Sequence, residues 1–264
     1  MQIPRRIRRG GGRLLLLCRL VGFDPLFLVS TIRYFPHFVF TLVQYRRAAP
    51  RRTFLPKVRH LYPVLGEFSA QAGAASGHYF HQDLWAARRI YLARPSAHVD
   101  VGSRIDGFIS HLLTFMNVSV VDIRALRSDV VGLTFTQADA TDLTGFPDSS
   151  VESLSSLHAV EHFGLGRYGD PVDPEACFKA MRAFSRVLKP GGRLYFSVPV
   201  GAEHLQFNAH RVFAPPTILA SFQELSLVSF CAVDDSGRFH EHADPTEYEA
   251  ATWSCGLFEF TKTM

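Results

Sequence analysis

Apolar and polar positions alternate along most of the chain in the pattern of an α/β protein. From about residue 97, short apolar runs of strand type lie between amphipathic segments of helical type. Strands that alternate with helices form a mostly parallel, doubly wound sheet, so we predict an α/β fold with a seven-stranded sheet. The seven predicted strands are 98–101, 118–122, 133–139, 151–157, 194–198, 225–232 and 253–262.

The clearest helical segment follows Asp173. Asp173 is a suitable N-cap, Pro174 would take the first helical position, and apolar residues recur at helical spacing as far as Leu188. A Lys-Pro-Gly-Gly run at 189–192 predicts the end of this helix. Further helices are predicted at 108–115 and 215–223, and another precedes the first strand at 83–93.

The first 59 residues have a different pattern and predict a helical arm. One or two amphipathic helices are expected near 13–22 and 25–47, with Pro36 kinking or splitting the second. Arg19, Asp24 and Arg33 interrupt every apolar run before it reaches the roughly 18 residues of a membrane span. A secretory signal fits only the start of the arm, because no cleavage motif follows the first apolar run.

Charge divides the chain in the same place. Residues 1–59 contain 13 Lys or Arg and one acid, so this segment is strongly basic. The whole chain has 28 Lys or Arg and 24 Asp or Glu, which leaves 15 bases and 23 acids for residues 60–264. A uniformly basic nucleic-acid-binding protein is therefore excluded. The domains expected are a basic amphipathic arm at 1–59, a connecting segment with a capping helix at 60–96, and the main domain at 97–264.

The arm has two main interpretations, which the sequence leaves open; RNA binding is a weaker third, because no aromatic and basic strand motif accompanies the charge. The arm packs on its own domain or on a second subunit, or it rests as a peripheral foot on an anionic membrane surface. The four cysteines are far apart and form no CxxC pair, which favours a reducing compartment. The expected location is thus cytoplasmic, with the inner membrane face as the peripheral alternative. The oligomeric state stays open.

Acidic residues end the first three predicted strands, where ligands bind in doubly wound sheets. A glycine after the first acid allows a tight turn, the second acid is placed to bind a ribose diol, and the third to bind an adenine amino group. The candidate cofactor-binding residues are Asp100, Gly102, Ser103, Asp122, Asp139 and Ala140.

Residues 97–262 resemble the class I S-adenosylmethionine-dependent methyltransferases. The segments DVGS, VVDIR, QADATDL, SLHAVEH and LKPGGRLYFSVP occur in the order of that superfamily's motifs. The resemblance implies a Rossmann-like methyltransferase fold and S-adenosylmethionine as cofactor. One position departs from the pattern: Arg104 stands where the first loop of the superfamily has its second glycine, and a side chain there could close the pocket.

A narrower resemblance is to a bacterial family of unknown function with this fold. It rests on GHYFHQDLW (77–85), HVDVGSRIDGF (98–108), EHFGLGRYGDPVDP (161–174) and FNAHRVF (207–213). In this fold the segment around His78 and His81 can cap the cofactor pocket, and a helix N-cap at Gln82 and Asp83 is the alternative. The family resemblance implies no established substrate.

Histidines after the fourth and fifth strands are the candidate catalytic groups. His162 and His210 are candidate general bases, and His158 or Glu161 would orient the base. His158 to His162 also spells the H-x-x-E-H motif of a metal-dependent hydrolase, but the Gly-Leu-Gly run at 164–166 breaks the helix that this chemistry needs. No metal is required; a divalent ion assisting methyl transfer would use Glu161, His162 and Asp170.

The function expected is S-adenosylmethionine-dependent methylation of an oxygen or nitrogen nucleophile, with O-methylation of a small or glycan-type acceptor as the preferred reaction. Two alternatives stand beside it: a catalytically inactive binding protein on this fold, motivated by Arg104, and the hydrolase that would use His158, Glu161 and His162. The partners expected are the acceptor and an anionic membrane surface bound through residues 1–59, with no nucleic acid.

Overall fold

A computed structural model describes residues 11–48, 54–68 and 70–263 of the chain. The basic cluster at 5–9 and the pair Arg51 and Arg52, which belong to the predicted arm, lie outside the described residues. The chain divides into two compact units, Met1–Gly73 and Ala74–Met264.

The first unit contains helices α1 (Gly11–Leu20) and α2 (Pro25–Ala48) and a short 3-10 turn at Val58–His60. The start of α2 follows from Asp24, whose Oδ1 accepts hydrogen bonds from the backbone N–H groups of Leu26 at 3.0 Å and Phe27 at 3.3 Å. Helix α2 continues through Pro36, so the proline does not split it.

Helix α2 is long and apolar enough to cross a membrane. It has 24 residues and an 18-residue window with a mean hydropathy of 1.5, and none of its described side chains is buried. The expectation that no segment has the properties of a span is therefore wrong for α2. Single charges such as Arg33 break an apolar run, but they do not outweigh the average hydropathy of a helix. A signal sequence near the amino terminus has the same properties.

The second unit contains the predicted alternation of helices and strands. Its helices are α3 (His78–Ala93), α4 (Ser110–Leu112, preceded by a π-helical turn at Ile105–Ile109), α5 (Ala176–Val187) and α6 (Pro215–Ser221). Its strands are β1 (His98–Val101), β2 (Val118–Asp122), β3 (Leu133–Gln137), β4 (Val151–Leu157), β5 (Leu188–Val200), β6 (His204–Gln206), β7 (His210–Val212), β8 (Leu225–Val233), β9 (Phe239–His240) and β10 (Ser254–Lys262). Single 3-10 turns cover Val160–His162 and Pro245–Tyr248.

The main sheet has eight strands in the order β3-β2-β1-β4-β5-β10-β8-β9. The pairs among the first five strands are parallel, and β10 runs antiparallel between β5 and β8. The predicted α/β class with a mostly parallel sheet is confirmed. The extra strand, β9, has two residues, too few for any periodicity to reveal it. Strands β6 and β7 form a separate hairpin.

Alternation along β5 explains the two core layers. Leu194, Phe196 and Val198 belong to the layer beneath α5 and α6, whereas Tyr195 belongs to the opposite layer, with Trp85 of α3. All four of the β5 side chains are fully buried. The sheet is therefore covered by helices on both faces, as a parallel sheet requires.

Two predicted helix starts are displaced. Helix α5 begins at Ala176 rather than Pro174, because Asp173 caps a turn: its carboxylate accepts the N–H of Glu175 at 3.0 Å, and its carbonyl accepts the N–H of Ala176 at 3.1 Å. Helix α3 begins at His78, after Gly77 with φ of 86°, so Gln82 and Asp83 lie within the helix and are not its N-cap.

Candidate functional site

A cavity of about 560 Å³ opens at the carboxyl ends of β1 and β2. It is lined by Tyr79, by residues 101–106, 121–124 and 139–141, and by several residues of the segment 158–176. Five of the six predicted cofactor-binding residues lie in its lining: Gly102, Ser103, Asp122, Asp139 and Ala140. The structure therefore brings the three strand ends together around one space.

Asp100, the sixth residue, lies behind this lining. Its buried carboxylate accepts hydrogen bonds from the Ser103 backbone N–H at 3.0 Å, the Ser103 hydroxyl at 2.6 Å and the Ser155 hydroxyl at 2.5 Å. Burial raises the pKa of Asp100 to about 6, although the hydrogen bonds from Ser103 and Ser155 act in the opposite direction. Asp100 thus holds the first loop in place from within the protein.

Gly102 forms the turn between β1 and the cavity. Its φ is +73°, and a Cβ at this position would approach the Ala159 Cβ to 2.9 Å. Its N–H donates to the Val121 carbonyl at 3.0 Å, which ties the first loop to β2. Both the positive φ and the close approach of the segment after β4 require glycine here.

Arg104 does not close the cavity. Its guanidinium forms paired hydrogen bonds with Asp106, both 3.2 Å long, and lies 4.8 Å from the ring centroid of Tyr79. This arrangement draws the side chain along the rim, with 46% of it exposed. The departure from the glycine pattern therefore leaves the space between the strand ends open.

Asp122 is engaged by a neighbouring arginine. Its carboxylate accepts from the Arg124 backbone N–H at 2.8 Å and from Arg124 Nη2 at 2.7 Å. The same guanidinium lies 4.5 Å from the ring centroid of Tyr168 across the cavity rim. The Asp139 carboxylate is exposed and accepts the N–H of Thr141 at 2.8 Å, while Ala140 is buried beside it.

His158 and Glu161 form a buried pair. His158 Nδ1 and Glu161 Oε1 are 2.7 Å apart, and the two side chains are only 4% and 1% exposed. Burial disfavours the charged ring, yet the nearby Cys255 and Glu161 outweigh it and raise the pKa of His158. Burial likewise acts to raise the pKa of Glu161, but His158 and His162 lower it below its ordinary value.

His162 is the candidate base that reaches the cavity. It lines the cavity, and its Nδ1 lies 2.7 Å from the Ala209 carbonyl, to which only a protonated nitrogen can donate. Nε2 therefore carries the lone pair in the neutral ring, and it lies 3.7 Å from Glu161 Oε1. Burial lowers the pKa of His162 although Glu161 opposes this, so the neutral, proton-accepting form is favoured.

His210, the other candidate base, stands behind His162. Its ring centroid is 6.4 Å from that of His162 and 5.9 Å from that of Trp253, and it does not contribute to the described lining of the cavity. Burial lowers the pKa of His210. Its Nε2 is buried and has no hydrogen-bond partner within the described part of the chain. The structure thus separates the roles of the two histidines.

The segment 158–162 does not have hydrolase geometry. Only Val160–His162 is helical, as one 3-10 turn, and His158 has φ of 49° and lies outside it. An H-x-x-E-H metal site needs both histidines one α-helical turn apart on one face. Asp170 was considered as a ligand for an assisting metal ion. Its carboxylate accepts hydrogen bonds from the backbone N–H groups of Gly166 at 3.2 Å and Tyr168 at 2.9 Å.

Some residues of the site were missed from the sequence. Tyr79 and Tyr168 line the cavity, and their rings pack against the guanidinium groups of Arg104 and Arg124. Phe163 lines the cavity beside Gly102. Tyr168 lies in a loop, where no periodicity could assign it to a pocket, and Tyr79 lies in the first turn of α3, ahead of the predicted helix start at Asp83. Tyr168 lies in the segment EHFGLGRYGDPVDP, whose Gly-rich composition was the one available signal of a loop near the site.

Comparison with known protein families gives a partial match. Residues 134–240, less than half of the chain, match a family described as Caenorhabditis protein of unknown function, DUF268. The expectation of a bacterial family of unknown function is corrected by this description. No curated protein matches the chain.

Solved structures show the fold. A protein of Galdieria sulphuraria, assigned as a sarcosine dimethylglycine methyltransferase, has a TM-score of 0.51 and 14% identity, over 70% of this chain and 86% of that one. The 1,6-didemethyltoxoflavin-N1-methyltransferase of Burkholderia thailandensis, solved with its substrate and S-adenosylhomocysteine, has a TM-score of 0.50 and 16% identity, over 69% and 79%. The chain is similar to both of these methyltransferases in fold, a Rossmann-like α/β fold with a large, mostly parallel sheet.

Proposed function

We propose that this chain transfers a methyl group from S-adenosylmethionine to a hydroxyl oxygen of a small or glycan-type acceptor, with His162 as general base. One observation carries the proposal: the cavity at the strand ends joins the Gly102 turn and Asp122 to a histidine whose Nε2 is free to accept a proton. The fold shared with methyltransferases supports the choice of cofactor.

On the cofactor side, Gly102 and Ser103 would lie against the amino acid portion and Asp122 would bind the ribose hydroxyls. Asp139 and Ala140 would lie beside the adenine. Arg124 already occupies the Asp122 carboxylate, so the ribose would either displace its guanidinium or share the carboxylate with it. These residues fit the cofactor because they come from three strand ends and face one open space.

On the acceptor side, the chain needs to align the hydroxyl and remove its proton, because the sulfonium is already activated. S-adenosylmethionine held by these residues would supply an activated methyl group, and His162 Nε2 would take the proton of the acceptor hydroxyl as the C–O bond forms and the C–S bond breaks. The products are the methyl ether and S-adenosylhomocysteine. Alignment of donor and acceptor supplies most of the rate enhancement in such a transfer.

Replacing Asp122 with alanine is expected to weaken S-adenosylhomocysteine binding about tenfold or more, because a hydrogen bond to a charged group contributes about 1.5–3 kcal/mol. Calorimetry on the folded variant measures this. Asp129→Ala, which removes an exposed carboxylate from the loop after β2, is the matched control and should bind like the parent protein. If Asp122→Ala binds S-adenosylhomocysteine as tightly as the parent protein, Asp122 does not bind the cofactor.

The alternative of an inactive binding protein is tested by turnover. Incubation with methyl-labelled S-adenosylmethionine and cell extracts, followed by fractionation into lipids, glycans and small molecules, should place label in one class. Methyl esters are cleaved by mild alkali, whereas methyl ethers and N-methyl groups are not, so alkali treatment tests for an ester product and mass spectrometry of the labelled product identifies the methylated atom. Tight S-adenosylhomocysteine binding without label in any fraction would favour the inactive alternative.

We also propose that the first unit attaches the protein to a membrane through α2. The support is the apolar character of α2, whose side chains Phe27, Ile32 and Phe40 are 69%, 67% and 59% exposed. Arg46 and Arg47 lie in its last turn, where basic groups meet anionic headgroups. An amphiphilic acceptor at the membrane surface is consistent with this attachment.

Deletion of residues 1–73 is expected to release the protein from anionic vesicles while S-adenosylhomocysteine affinity stays the same. In the full chain, Ile32→Asp with Val39→Asp should have the same effect, because both charges fall on α2. Flotation at low and high salt separates two modes of attachment. A peripheral foot is released by salt, since charge attraction is screened over about 8 Å at physiological ionic strength, and a spanning helix stays bound. If the chain without residues 1–73 binds the vesicles as strongly as the full chain, this segment does not attach the protein to the membrane and packs against protein instead.

A further inference from the structure

Three metal-binding side chains from distant parts of the chain meet in the second unit. They are His78 at the start of α3, His158 after β4 and Cys255 in β10. All three are buried, and one ligand atom of each lies within 4.8 Å of those of the other two. Two imidazoles and a thiol are all groups that bind metal ions in proteins.

The histidines have free donor atoms at this place. His78 Nδ1 and His158 Nε2 are buried, and neither has a hydrogen-bond partner among the residues that the structure describes. The two rings stack with centroids 5.2 Å apart and an interplanar angle of 19°. Buried polar atoms are almost always satisfied in folded proteins, so two such atoms in adjacent stacked rings indicate that a ligand is missing.

The tautomer of His158 suits metal binding. Because its Nδ1 donates to Glu161 Oε1 at 2.7 Å, Nε2 is the nitrogen left for a metal ion, which would displace the proton that the raised pKa of the ring keeps there. A carboxylate that accepts from the distal nitrogen is the usual partner of a metal-bound histidine, since it orients the ring and makes it more basic. His158 also has a φ of 49°, unusual for a residue other than glycine, and such strain is characteristic of functional positions.

Cys255 and its surroundings complete the donor set. Its Sγ forms no disulfide among the described cysteines, and it lies 4.0 Å from Gln82 Oε1. Two imidazoles and one thiolate are a borderline-soft set that favours Zn²⁺ over Mg²⁺ or Ca²⁺. A catalytic type of zinc site has three protein ligands and one open position, and His158 is the member of the cluster that lines the cavity.

The spacing allows an ion. Zinc–nitrogen distances of about 2.0–2.1 Å and a zinc–sulfur distance of about 2.3 Å place tetrahedral ligand atoms about 3.3–3.6 Å apart. The three ligand atoms lie within 4.8 Å of one another, so the largest contraction that an ion would need is about 1.2–1.5 Å. His78 also stacks on Trp253, at 4.3 Å between ring centroids, which holds its ring close to the cluster.

From these observations we infer that His78, His158 and Cys255 bind one divalent metal ion of the zinc class, with Glu161 as the partner that positions His158. The site uses residues other than the Glu161, His162 and Asp170 considered from the sequence. It does not depend on the methyl-transfer proposal, because its test measures bound metal and not turnover.

The test uses Co²⁺ as a spectroscopic probe on the full chain, purified in detergent and stripped with chelator. We expect one Co²⁺ per chain, with the visible bands of a tetrahedral site and a thiolate-to-cobalt charge-transfer band. Cys255→Ala should lose the charge-transfer band and bind at least about tenfold more weakly. Glu161→Gln should keep the band and weaken binding about 10–100-fold, the range for lost outer-shell partners.

Cys231→Ala is the matched control. Cys231 is a buried free cysteine on the neighbouring strand β8 and belongs to the same core layer as Cys255, so its loss should leave the Co²⁺ spectrum unchanged. The proposal is overturned if the parent protein binds no Co²⁺. It is also overturned if Cys255→Ala binds Co²⁺ as tightly and with the same spectrum, which would place the ion elsewhere.

A measurement on the unaltered protein decides the matter if the variants do not fold. X-ray absorption at the zinc edge of the Zn²⁺-loaded chain should show one sulfur and two imidazole neighbours. A shell of oxygen and nitrogen without sulfur would exclude Cys255 and with it the proposed site. Zn²⁺ should also raise the unfolding temperature, because a ligand that binds the native state stabilises it.

Discussion

Replacing His162 with alanine is expected to reduce methyl transfer by about 10²–10⁴-fold, the usual effect of losing a general base. The affinity for S-adenosylhomocysteine should stay unchanged. The physical reason is the protonation of the ring: Nδ1 donates to the Ala209 carbonyl at 2.7 Å, so Nε2 is the nitrogen that can take a proton from the acceptor hydroxyl. Paired calorimetry and a methyl-transfer assay on the identified acceptor measure both quantities.

His204→Ala is the matched control, because His204 is an exposed histidine in the β6–β7 hairpin and should not affect turnover. His210→Ala separates the two candidate bases. If turnover is lost in His210→Ala and kept in His162→Ala, the base is His210 and the loop around Ala209 must move during the reaction. If both variants keep near-native turnover, neither histidine is the general base. Methyl transfer would then depend on alignment of the two substrates alone, or Glu161 would take the acceptor proton.

The strand ends could be predicted because sheet strands leave a simple mark on a sequence. Each of the first three apolar runs ends in an acid, and parallel strands bring their carboxyl ends to one edge, so Asp122 and Asp139 were placed in one cavity without knowledge of the sheet order. The same reasoning placed Asp100 at the right strand end but not in the right role. Its carboxylate turns inward to Ser103 and Ser155, and no periodicity distinguishes an acid that faces a ligand from one that faces a loop.

The metal-binding cluster could not be predicted in this way. His78, His158 and Cys255 are separated by long stretches of chain and meet only because α3, β4 and β10 are packed together. Motif spacing finds ligands that share one helix or one turn, and it pointed to His158 and His162 instead. The hairpin of β6 and β7 was missed for another reason: β6 is exposed along its length and so has no apolar pattern.

Asp100 is expected to give the second unit an unusual pH dependence. Its folded pKa of about 6 lies above its value in an unfolded chain, so the folded state holds the proton more tightly. The stabilisation is fully present below the unfolded pKa and is lost as the pH rises through the folded pKa. Relative to Asp100→Asn, which cannot ionise, the parent protein should therefore lose about 2 kcal/mol of unfolding free energy between about pH 4.5 and pH 7.

Denaturant unfolding followed by tryptophan fluorescence measures this difference in the right part of the molecule, because both tryptophans of the chain, Trp85 and Trp253, belong to the second unit. The asparagine should fold: its amide can donate to the Ser103 or Ser155 hydroxyl, each of which can rotate to accept, while its oxygen accepts the Ser103 N–H. Other carboxylates titrate equally in both proteins and cancel in the comparison. The contrary result is an unfolding free energy of the parent protein, relative to Asp100→Asn, that stays constant or increases between about pH 4.5 and pH 7. The three hydrogen bonds would then stabilise the ionised carboxylate of Asp100, and burial would not raise its pKa.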